Sequence, residues 1–138
     1  MPYSFDNIHP LIIHFPIALI SMGFVFDIFG SILNREDLKN AGFWCMLSGI
    51  LSCLFAIISG LKMFLNNASL SYLFEFNHFI ITCLSTIIFI ILFWLRIKLD
   101  VDFIYSKIKQ QIYFCIYFLA ILLLFYGSHL GAKAAGRI

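Results

Sequence analysis

The chain has 138 residues, of which 62% are hydrophobic and only 12% charged, with a mean hydropathy of +1.00. A water-soluble domain carries roughly 25% charged residues, so this composition excludes one and points to a membrane. A formal net charge of +2 likewise gives no reason to expect a nucleic-acid partner.

Four long apolar runs follow in order, at about 8–30, 41–65, 77–95 and 112–130. Each is close to the roughly 20 residues that cross a hydrocarbon core about 30 Å thick. Inside lipid only helices and closed barrels satisfy their own backbone, and runs of this length are helices. The expected fold is therefore all-α: one four-span membrane domain over 1–138, a four-helix bundle. The ends and connections are too short to hold a soluble domain.

The first run begins with His9, Pro10, His14 and Pro16. It has no basic leader and no small-residue cleavage site, so it reads as a retained span rather than a signal peptide. Asp27 is an acid within this span, near its far end. The negative end of the helix dipole disfavours it there, and the expected partner is Arg35 or Lys39 at the membrane surface. The second run carries Gly42, Cys45, Gly49, Ser52, Ala56 and Ser59 at alternating spacings of three and four. Such a stripe lets a neighbouring helix approach closely, or leaves room for a flat cofactor. The third run places His78, Thr82 and Ser85 on one face, and the first repeats that spacing in His14, Ala18 and Ser21. The fourth ends around His129, flanked by Gly127 and Gly131.

Lys and Arg set the expected orientation. Six of them (Arg35, Lys39, Arg96, Lys98, Lys107 and Lys109) fall on the side of the first and third connections. Three, Lys62, Lys133 and Arg137, fall on the side of the termini. The positive-inside rule then puts the first and third connections in the cytoplasm. Both termini are expected on the outer, periplasmic side of a bacterial inner membrane.

On that orientation all four histidines lie towards one face of the membrane, in three different helices. Ionisable residues within spans are functional candidates. A b-type haem needs axial imidazoles from different helices at similar depth, which His14 with His78 or His129 would provide. Copper or zinc would need three or four imidazoles, adding His9. In a regular helix His9 and His14 point about 140° apart, so His9 joins only if Pro16 distorts the helix start. Asp6, Asn7, Glu75, Asn77, Tyr126 and Ser128 lie at matching depth and could accept or donate the second hydrogen bond of a ligating imidazole. The four cysteines form no C-x-x-C pair and read as small apolar residues.

The segment from His9 through Leu19, His-Pro-Leu-Ile-Ile-His-Phe-Pro-Ile-Ala-Leu, resembles the HPxxxHFPxAL opening of the family catalogued as domain of unknown function 2231. The resemblance continues at Phe26-Asp27, Ser59-Gly60, His78 and His129-Leu130-Gly131. It departs at Ala132-Lys133-Ala134-Ala135-Gly136, where relatives tend to have a longer tail with a further histidine, so no ligand is carried over to the tail. The resemblance implies a four-helix membrane protein, and the association of some relatives with cytochrome-containing proteins points towards haem. The functional expectation is an electron carrier or accessory subunit rather than a self-contained enzyme. It would bind haem b, or alternatively copper or zinc, and serve a periplasmic or membrane redox protein, with a homo-oligomer compatible with its apolar surface. The remaining alternative is a subunit with no cofactor.

Overall fold

The computed structural model describes residues 8–66, 72–98 and 107–134, with side chains from 13–61, 76–98 and 107–133. Four helices account for all of them except residues 33–35: α1 (Ile8–Ile32), α2 (Glu36–Asn66), α3 (Tyr72–Lys98) and α4 (Lys107–Ala134). All four are long and apolar enough to cross a membrane. Each outruns its expected span at one or both ends, most of all α4, and the longest, α2, has 31 residues that extend over about 46 Å. The added turns carry polar residues suited to headgroups. Glu36 and Asp37 open α2, where a negative charge complements the helix dipole, and Arg96 and Lys98 close α3, where a positive one does.

The connection between α1 and α2 is only Leu33, Asn34 and Arg35. Asn34 takes a left-handed conformation with φ 51°, which asparagine tolerates better than most residues. The Arg35 N–H then bonds back to the Gly30 carbonyl at 3.0 Å, closing the helix end in a Schellman arrangement. So short a turn makes α1 and α2 antiparallel neighbours. Lys39, expected in the connection, lies on the first turns of α2. Pro16 is buried within α1, which continues through it as one helix.

Neighbouring helices pack in the order α1–α2–α3–α4, and α1 with α4 closes the ring. The α1–α2 seam is the most extensive, and neither diagonal pair packs broadly. Between 22% and 33% of each span is buried within the bundle, so every helix leaves a large surface for lipid. This is why Phe, Ile, Leu and Trp are widely exposed. The core is centred on Ile20, Met46, Phe89, Leu92 and Tyr117. The Tyr117 hydroxyl reaches across from α4 to donate to the Ile20 carbonyl at 3.1 Å, and its ring meets Phe24 and Phe89 edge-on. These aromatic rings fill the bundle centre.

The small-residue stripe of α2 faces this interior, with Gly42, Gly49 and Ala56 buried. It serves close helix approach. A Cβ on Gly49 would lie 2.5 Å from Ile20 Cγ1, and one on Gly42 would collide with the Asp27 carboxylate. The space that a flat cofactor would need beside these glycines is filled by side chains of α1.

Candidate functional site

Call the end of the bundle bearing the histidines the histidine end, and the opposite one, with residues 33–35, the turn end. At the histidine end the helices treat the imidazoles differently. His78 is half-buried in the α3–α4 seam, with Nδ1 2.6 Å from the Gly127 carbonyl oxygen. A carbonyl can only accept, so Nδ1 carries the proton and the lone pair of the neutral ring is on Nε2. Gly131 makes this position possible: a Cβ there would lie 2.9–3.1 Å from three atoms of the ring. Gly127-x-x-x-Gly131 is thus a notch that receives an imidazole from α3.

The other histidines do not join it. His129 lies between the two notch glycines in sequence, about 200° around the helix from each, and is exposed. His14 is exposed too, because the inward face of α1 is set by Pro16, Ile20, Gly23, Asp27 and Gly30, half a turn away. The His14–Ala18–Ser21 stripe is turned away from the bundle centre for the same reason: His14 and Ala18 are exposed. The α3 stripe is turned inward, but its hydroxyls turn back on their own helix. Thr82 donates to the His78 carbonyl, and Ser85 and Thr86 to that of Thr82, as buried hydroxyls in helices commonly do. The side chain of His9 lies outside the described residues. Among those described, no three of His, Cys, Asp and Glu come together as a metal site would require. Of the proposed supporting residues, Asn77 and Tyr126 are exposed and Ser128 is half-buried. Asn7 and the side chain of Glu75 are outside the described residues, and Asp6 also.

The turn end holds a second polar centre. Asp27 does not reach the surface to meet Arg35 or Lys39. It is 5% exposed and pairs with Arg96 of α3, Nη1 to Oδ2, at 2.5 Å. The surface cations have nearer partners, Arg35 with Asp37 and Lys39 with Glu36. The second Arg96 nitrogen donates to the Lys39 carbonyl at 2.6 Å. The guanidinium also lies over the Phe43 ring and beside Tyr113 of α4, whose hydroxyl donates to Met46 Sδ at 3.6 Å. One side chain of α3 therefore touches α1, α2 and α4. A bond from Gln110 to Ser31 Oγ, 2.8 Å, adds a further α1–α4 link nearby. Oδ1 of Asp27 has no hydrogen-bond partner and rests against the Gly42 backbone. The sequence signal for this centre was depth: Asp27 and Arg96 lie near the same end of their spans.

Chemically, the histidine end offers one oriented imidazole, and the turn end a buried ion pair with an unsatisfied oxygen. No curated protein and no solved structure shows significant similarity to the chain. A family model matches residues 5–138, almost the whole length. The chain belongs to that family, described as predicted membrane protein (DUF2231).

Proposed function

We propose that this integral membrane protein is an electron-transfer module that binds a b-type haem at the histidine end, with His78 as one axial ligand. The observation that carries the reading is the bond between His78 Nδ1 and the Gly127 carbonyl. Ligating imidazoles typically donate their other N–H to a carbonyl or carboxylate, which fixes the ring and raises its basicity. His78 has that second bond in place, with Nε2 left as the ligating atom. The second ligand would be His14 or His129, and either has to turn inward from its exposed position. The residues thus fit haem at one axial position and not yet at the other. Bound there, the haem would supply one-electron chemistry at a potential set by its ligands and burial, and its partner would be a redox protein reaching the same membrane face.

A second reading rests on the closeness of Gly131 to the His78 ring. If that contact is permanent, the imidazole is a clamp between α3 and α4, and the protein is a subunit with no cofactor. Copper or zinc would need His9 and His14 to converge with the others.

Optical titration of the purified full-length protein with haem, beside metal analysis, separates the three. The haem reading expects one equivalent to give a six-coordinate low-spin spectrum that His78→Ala abolishes and His9→Ala only shifts. Loss in either His14→Ala or His129→Ala identifies the second ligand. Stoichiometric copper or zinc lost equally in His9→Ala and His14→Ala supports the metal reading. No haem and no metal leaves the clamp.

A further inference from the structure

The most costly groups in this bundle are at the turn end and play no part in the haem reading. A buried ion pair is expensive to desolvate and even more so to break, and an ionisable pair within membrane helices is a functional candidate. Asp27 uses one carboxylate oxygen for Arg96 and leaves the other, Oδ1, without a partner in an almost fully buried side chain. We propose that Asp27 is a proton-binding site and that Arg96 transmits its charge state to all four helices.

The groups facing the site come from every helix. Asp27 is the acid of α1. From α2 come the Lys39 carbonyl and the Phe43 ring, while the Lys39 ammonium is drawn away to Glu36. Arg96 enters from α3 and the Tyr113 hydroxyl from α4, with Tyr117 and Cys45 beyond. Asp27 carries the negative charge opposite Arg96. When its carboxylate takes a proton from the aqueous phase at the turn end, a hydronium becomes water and the carboxylate a neutral carboxyl. Arg96 then keeps a buried positive charge facing a carbonyl and a hydroxyl. It lies two residues from the end of α3, close enough for its long side chain to swing out to the headgroups. The brace between the diagonal helices α1 and α3 is then released. Arg96 favours the ionised acid in the braced state, so falling pH shifts the equilibrium towards release and rising pH restores the brace. This inference is independent of any cofactor.

The test uses the full chain in lipid nanodiscs. Infrared difference spectra should show a protonated-carboxyl band growing as pH falls, lost in Asp27→Asn. Amide hydrogen exchange in residues 94–98, corrected for the intrinsic effect of pH, should rise severalfold in the wild type across the same pH range. In Asp27→Asn it should be fast at neutral pH already and no longer respond. Asp27→Glu, which keeps a carboxylate should Asn prevent folding, should retain the response with a moved midpoint. A band that persists in Asp27→Asn, or exchange at 94–98 that ignores both pH and residue 27, overturns the proposal.

Discussion

Adding one methyl group at Gly49 tests the packing most sharply. The new Cβ would stand 2.5 Å from Ile20 Cγ1 and 3.3 Å from the Ile20 nitrogen, whereas apolar carbons settle at about 3.5–4.0 Å. Ile20 must therefore retreat by roughly 1 Å. It has nowhere to go, being fully buried, with its carbonyl held by Tyr117. Overpacking of this kind costs about 1–3 kcal/mol, and replacing a helical glycine by alanine returns up to about 1 kcal/mol. Because Ile20 cannot move, the cost lies in the upper part of that range, and Gly49→Ala should lose roughly 1–2 kcal/mol net. That is a fall in melting temperature of about 3–10 °C at this size, read in detergent by circular dichroism. Gly49→Leu should fall further, and Leu51→Ala on the lipid face should change little. Ile20→Ala removes Cγ1 and costs about 2–5 kcal/mol alone, but the double variant should cost less than the sum of the two. A Gly49→Ala protein that melts at or above the wild type, or a double variant that is simply additive, would refute the close α1–α2 seam.

Three further outcomes follow from the same structure. A reporter fused after Ile138 should report the periplasm and one inserted at Asn34 the cytoplasm; the reverse pattern would place the histidine end inside. Arg96→Gln should destabilise the bundle by about 3–5 kcal/mol, because it strands the Asp27 charge, whereas Arg35→Gln, at an exposed pair, should leave the melting temperature unchanged. Equal effects would mean that the Asp27–Arg96 pair is not buried in the membrane. Gly131→Val should push the His78 ring from its notch and break the Gly127 bond, visible as a shift of the imidazole ¹⁵N resonances with the helical signal intact. An unchanged spectrum would remove the notch.

The spans were legible because lipid leaves the backbone only one economical solution, and hydropathy reports it directly. The α2 stripe was legible too, since small residues at alternating spacings of three and four have few other uses. Helix ends were not: hydropathy falls where Glu36, Lys98 and Lys107 enter the headgroups, while the helices continue. The partner of Asp27 was missed because nearness in sequence favoured Arg35 and Lys39, which Asp37 and Glu36 already satisfy. Arg96 is 69 positions away, and only the ring order of the helices brings it near. The rotation of α1 could have been read from Pro16, Gly23, Asp27 and Gly30, a face that excludes His14. Depth alone made the histidines look gathered. Depth does not fix rotation, and only His78 of the three described side chains turns inward.

Ligation of haem by Nε2 of His78, as proposed, can be tested by removing the imidazole and supplying it again. His78→Gly protein, reconstituted with haem, should lose the six-coordinate low-spin spectrum, and free imidazole should restore it as it occupies the vacated position. A His78→Gly protein whose haem spectrum matches that of the wild type, with or without imidazole, would contradict the claim and leave His78 as a clamp between α3 and α4.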